Sequence, residues 1–313
     1  RKSVNFMISR SSSYPNAGVN VTSGTLTLKN NLIYSGLSYT LTIGGTNSYT
    51  TGTAGNTKAN DYGTQNYSNF RLSGGNMYID CDVKGFYSSD KNFVISSSTS
   101  SLLSIGSNAV VSYYQTADNC SSLFSSKFTI SNGATIQYNK GAIFLTAQNV
   151  TSTINGGTFS NNDGRIAWSN QSGTINIAGG VFQNNTNTSS DGIIYNANSL
   201  LIGTTSSTPI EFKNNTGGLI YNFSGNTTVS GNVTFTGNSN DGDGSVIIAN
   251  KGTVSIESGS NGSEPTFSSN SVTGNGGVIR NTKKSTVLGA SFGGSTINIS
   301  AGLFIGNSAT GNG

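Results

Sequence analysis

Twelve acidic residues are spread over 313 positions, and few lie close enough in sequence to share a cation. Asp80 and Asp82 alternate along a stretch that reads as a strand and would share one face. Asp241 and Asp243 stand in Asn240-Asp-Gly-Asp-Gly244, which reads as a loop. Carboxylates so placed suit calcium, making Asp241 and Asp243 the metal candidates and calcium the cofactor to consider. The plainer reading is turn chemistry, since Asn, Asp and Gly tolerate left-handed backbone angles, and it is favoured. Proton abstraction from an acidic sugar would need several carboxylates around calcium with an Arg or Lys base nearby. Histidine is absent, which removes the commonest general base and metal ligand. No catalytic residue is assigned, and a non-enzymatic chain is expected.

Recognition has better material. Gly192-Ile-Ile-Tyr-Asn196, Gly218-Leu-Ile-Tyr-Asn222 and Gly277-Val-Ile-Arg-Asn281 share one pattern. If Ile194, Ile220 and Ile279 point inward, strand alternation sends Tyr195, Tyr221 and Arg280 outward along one face, with Lys283 and Lys284 beside them. The only tryptophan, Trp168, occupies a related strand in Gly164-Arg-Ile-Ala-Trp-Ser169, near Arg165. Outward rings suit the faces of sugars, and basic side chains suit the carboxylates of uronic or sialic acids. The ligand-binding candidates are therefore Arg165, Trp168, Tyr195, Tyr221, Arg280, Lys283 and Lys284. For each ring the alternative is strand propensity, or packing beneath a loop.

The elements that must position these residues follow from a repeat. Phe159-Ser-Asn-Asn162, Phe182-Gln-Asn-Asn185, Phe212-Lys-Asn-Asn215, Phe235-Thr-Gly-Asn238, Phe267-Ser-Ser-Asn270 and Phe304-Ile-Gly-Asn307 recur, and Ile136-Gln-Tyr-Asn139 fills the same slot earlier. The step is 23 residues from Phe159 to Phe182 and from Phe212 to Phe235, which fits one coil of a three-faced parallel β-helix. Longer steps read as loop insertions. Like residues in successive coils would lie about 4.8 Å apart, so phenylalanines stack inside and asparagines form an amide ladder at a turn. The glycine before each Ile strand allows a left-handed bend where the chain changes face.

Composition agrees. Only 9% of residues are charged, while Gly, Ser, Thr and Asn crowd the chain. The three prolines and the alternation of apolar with polar residues argue against disorder. Helical spacing is missing, so an all-β, right-handed parallel β-helix with about 23 residues per regular coil is predicted. Residues 1–313 read as one domain, with irregular coils and a cap over 1–115 and regular coils over 116–313. Arg1 to Tyr14 is the candidate cover for the first sheet edge. Cys81 and Cys120 are equally consistent with one disulfide or two separate thiols.

The net charge of +4 is scattered, a mild bias toward polyanions, and no nucleic-acid partner is expected. No apolar stretch reaches the roughly 18 residues that would span a bilayer, so membrane insertion is not expected either. A monomer is expected, and the chain reads as a region cut from a larger protein.

The paired Phe-x-x-Asn and Gly-Gly-aliphatic motifs (Gly217-Gly-Leu-Ile220, Gly276-Gly-Val-Ile279) resemble the repeats of chlamydial polymorphic outer membrane proteins, over about the last 180 residues. The whole chain, rich in Ser, Thr and Asn, also resembles the binding region of lactobacillal serine-rich repeat adhesins. That second resemblance implies a pectate-lyase-like β-helix on a secreted, cell-wall-anchored surface protein. It further implies adhesion to acidic polysaccharide such as polygalacturonate or to host glycans of mucus or epithelium, a role in biofilm, and no catalysis. A polysaccharide lyase of the pectate lyase type is the alternative.

Overall fold

A computed structural model describes residues 76–80, 99–115, 124–187, 191–282 and 294–311 with their side chains, together with Ser122 and the backbone of the strands elsewhere. The chain is all-β, with no helix among the described residues, and its parallel strands stack as a β-solenoid. Three ladders run along it.

The first ladder is formed by Leu102–Ile105, by parts of the long strands Ser122–Ile130, Thr151–Ser160 and Thr174–Gln183, and then by Ser199–Thr204, Asn226–Gly231, Thr253–Glu257 and Thr296–Ile299. The second runs through Val110–Ser112, Thr135–Gln137, the ends of Thr151–Ser160 and Thr174–Gln183, Ile210–Lys213, Val233–Thr236, Thr266–Ser268 and Leu303–Ile305. The third joins the start of Ser122–Ile130 to Ala142–Thr146, Ala167–Ser169, Ile194–Asn196, Ile220–Asn222, Ile247–Ala249 and Ile279–Asn281. Toward the N-terminus, Asn76–Ile79, Asp82–Lys84 and Val94–Ser96 extend the three ladders in turn. Phe6–Ser9 pairs with Leu32–Ser35, which turns antiparallel onto Thr40–Ile43, and Ile43 meets Val83 at the edge of the second ladder.

The repeat explains the stack. In the second ladder Phe159, Phe182, Phe212, Phe235 and Phe267 are wholly buried and face one another in register. Their ring centroids are 4.4, 4.5, 4.9 and 4.8 Å apart, nearly parallel, and Phe304 continues the row at 4.7 Å. The strand spacing imposes this near-parallel stacking on rings that, left free, favour offset or edge contacts.

Beside the rings runs the amide ladder: Asn139, Asn162, Asn185, Asn215, Asn238, Asn270 and Asn307. From Asn162 onward each Oδ1 accepts two bonds from the asparagine one coil earlier, one from its backbone N–H and one from its Nδ2, at 2.9–3.1 Å. The other Nδ2 hydrogen goes to the carbonyl of the apolar residue in the preceding coil, as Asn215 does to Phe182 at 2.9 Å. No side-chain hydrogen-bonding group of Asn215 is left over, which is what burial at 0% exposure requires. Coil steps measured on this ladder are 23, 23, 30, 23, 32 and 37 residues, so the extra length leaves the ladders in register.

The position just before each ladder asparagine is left-handed in every coil: Tyr138, Asn161, Asn184, Asn214 and Ser269 have φ near 55°, and Gly237 and Gly306 lie at 65° and 61°. The motif is thus Phe, any residue, a left-handed residue, Asn. Ser269 is exposed, so Ser269→Val tests the backbone requirement without touching the core. It should cost about 1–2 kcal/mol, read as a lower urea midpoint, while Ser269→Asn should be neutral or slightly stabilising.

The glycines before the third ladder behave as expected at Gly192 and Gly218, both with positive φ. In the last pattern the bend sits one residue earlier than expected, at Gly276 with φ 74°, and Gly277 is not in the left-handed region. Gly217, at the equivalent position of the second pattern, is left-handed as well, and Gly276 lies against the backbone of Ile279 and Arg280, where a side chain would collide. Cys81 and Cys120 lie outside the described residues.

Candidate functional site

The third ladder positions the recognition residues. Its inward column is Phe144, Ala167, Ile194, Ile220, Ile247 and Ile279, and its outward column is Leu145, Trp168, Tyr195, Tyr221, Ile248 and Arg280. The predicted alternation holds, with Ile194 and Ile220 fully buried and Tyr195 and Tyr221 half-buried on the outer side.

Buried polar residues following the rings fix the strands. Ser169 Oγ donates to Asn196 Oδ1 at 3.0 Å, and Asn196 Nδ2 donates to Asn222 Oδ1 at 2.9 Å. Thr227 Oγ1 donates to the same oxygen at 2.9 Å. Strands anchored on both sides leave the rings between them little freedom to turn inward.

Trp168, Tyr195 and Tyr221 come together as one patch. Trp168 meets Tyr195 edge-on at 5.9 Å, and Tyr195 lies 5.5 Å from Tyr221. A fourth ring joins them: Phe223, 37% exposed, stacks 5.6 Å from Tyr195 and 6.3 Å from Tyr221. Phe223 was missed in the sequence, although it follows Tyr221 by two residues and alternation alone would set it on the same side.

Arg165 belongs to this patch in another way than an outward fork. Its side chain is only 7% exposed, and its guanidinium lies 4.5 Å from the Tyr195 ring and 5.1 Å from Trp168. It pairs with Asp191 at 2.5 Å, the carboxylate being 34% exposed. Asp191 belongs to the extra length of the 30-residue coil, whose base is held by Asn187 Nδ2 donating to the Gly192 carbonyl at 2.5 Å. Arg165 is therefore a foundation under the rings. Burial raises the pKa of the Tyr221 hydroxyl, Asp191 raises it further, and Arg165 partly offsets this.

Arg280 stands farther along the outward column, beyond Ile248, and is paired with Asp243. The Asp243 carboxylate also accepts from the Asn275 backbone N–H at 2.6 Å and from Asn275 Nδ2 at 2.9 Å. Arg280 and Asn275 thus occupy the Asp243 carboxylate, and a calcium ion there would have to displace them. Asp241 contributes its backbone carbonyl to Thr273. Among the described residues no three of His, Cys, Asp or Glu gather as a metal site. Lys283 and Lys284 lie outside the described residues.

The Asn275 N–H is the main reason the Asp243 carboxyl is held below the ordinary aspartate range; burial works against it, and the Asn275 amide and Arg280 add to it. A carboxyl with a depressed folded-state pKa contributes stability that is complete above its unfolded pKa and lost as pH falls through the folded value. Thermal midpoints measured from pH 7 downward should therefore fall less below about pH 4 in Asp243→Asn than in the wild type, the two converging in acid.

The chain matches no family model, no curated protein and no solved structure.

Proposed function

We propose that this β-solenoid is a non-catalytic glycan-binding region of a secreted, cell-surface adhesin. One observation carries the reading: Trp168, Tyr195, Tyr221 and Phe223 form a continuous row of rings on the outside of a rigid ladder. A sugar ring offers a C–H face that such a row can receive, and rings held by their strands lose little freedom on binding.

Attachment to the cell wall, adhesion to mucus or epithelial glycans and a part in biofilm belong to the same proposal, in keeping with the resemblance to serine-rich repeat adhesins. A pectate-lyase mechanism has less support, since the described acidic residues are dispersed or paired with arginine.

The test is a glycan array probed with the wild type and with Trp168→Ala. Binding to at least one glycan should fall about tenfold or more in the variant, a loss of roughly 1.4 kcal/mol. Undiminished binding would remove the ring row from the account. Incubation with polygalacturonate and calcium should release no unsaturated product; sustained release would establish the lyase.

A further inference from the structure

We infer that the ring row takes uncharged pyranoses in preference to uronates or sialic acids, an inference that rests on the glycan-binding reading above. The sequence led to the opposite expectation, because Arg165 and Arg280 looked like forks for a ligand carboxylate. In the fold each of them is closed by a carboxylate of the chain itself: Arg165 by Asp191 and Arg280 by Asp243.

The pairs are asymmetric in a way that sets what a ligand meets. Asp191 is 34% exposed against 7% for Arg165, and Asp243 is 38% exposed against 27% for Arg280. In both, the negative partner is nearer the solvent. At the rings the asymmetry is largest, because Trp168 and Tyr195 lie against the guanidinium. The Tyr221 hydroxyl pKa is raised chiefly by burial; beyond that, Asp191 raises it and Arg165 lowers it.

A carboxylate beside exposed rings suits a neutral sugar. Its oxygens accept from sugar hydroxyls while the C–H face lies on Trp168, Tyr221 or Phe223; these bonds to a charged acceptor are the stronger kind. Tyr195, with the Arg165 guanidinium 4.5 Å and the Phe223 ring 5.6 Å from its centre, supports its neighbours. An acidic sugar in the same place would bring its carboxylate toward Asp191, and the repulsion would be screened by salt.

The experiment compares ligands with and without their acidic groups: polygalacturonate with its fully methyl-esterified form, and sialylated glycans with their desialylated forms. Wild-type protein should bind the uncharged member of a pair at least tenfold more tightly at low salt. The gap should narrow as salt is raised, and binding should depend on Trp168. Asp191→Asn should narrow the gap at low salt as well; should that variant unfold with its arginine unpaired, the salt series on the wild type still decides. Trp168-dependent binding of the acidic member, weakening with salt, would overturn the inference and leave the glycan reading standing. Absence of any Trp168-dependent binding across all pairs would overturn both.

Discussion

Asn215→Asp should lower the stability of the solenoid by about 3–6 kcal/mol, the cost of leaving several buried polar groups without partners. The substitution keeps the shape and replaces one NH2 with an oxygen. That NH2 donates to the Phe182 carbonyl and to Asn238 Oδ1, both at 2.9 Å, so the new oxygen would face two acceptors inside the protein. The penalty should itself depend on pH. Burial raises the pKa of the introduced carboxyl in the folded state, so the variant is least destabilised in acid and loses stability as pH rises through that folded value. Urea midpoints at pH 4 and pH 8 give both numbers. Asn214→Asp is the control: its side chain is exposed, its φ of 55° is one aspartate tolerates, and it should change little. Equal midpoints for the two variants would mean that the amide ladder does not hold the coils.

Phe212→Ala should cost about 3–5 kcal/mol, because the ring is fully buried between Phe182 at 4.5 Å and Phe235 at 4.9 Å and the coil spacing prevents collapse of the cavity. A solenoid is held by its nearest neighbours, so the damage should also uncouple the coils on either side. Denaturation followed by circular dichroism should broaden or divide into two steps. Phe304→Ala removes a ring 41% exposed with one stacking partner in the row, and should cost about 1–2 kcal/mol in a single step. A similar cost for both would argue that the stack does not act through burial.

Much of this architecture could be read from residues because a solenoid repeats its own rules. Phe159, Phe182 and Phe212 each announce an inward position, and the asparagine three residues later announces the turn. The outward row was legible for the same reason, since alternation from Ile194 and Ile220 fixes Tyr195 and Tyr221. The pairing of charges was not. Asp191 and Asp243 both lie in extra-length stretches, and the length of an insertion does not tell where it folds back. Arg280 faces outward as alternation requires, yet its partner comes from the preceding coil's loop. Arg165 precedes its strand, where strand alternation gives no rule for its direction. The rings therefore stand together as alternation sets them, while Arg165 and Arg280 are each paired with a carboxylate that the sequence did not link to them.

The amide ladder has a direction. Every Nδ2 that reaches along it points to the higher-numbered coil, and every Oδ1 points back. Aligned amides polarise one another, and the row acquires a positive end at Asn307 and a negative end at Asn139, where the Tyr114 N–H meets the last acceptor at 3.0 Å. The amide row is therefore polar along the solenoid, and its two ends are chemically unlike: at Asn139 an oxygen accepts from a backbone N–H, whereas at Asn307 the amide hydrogens point on.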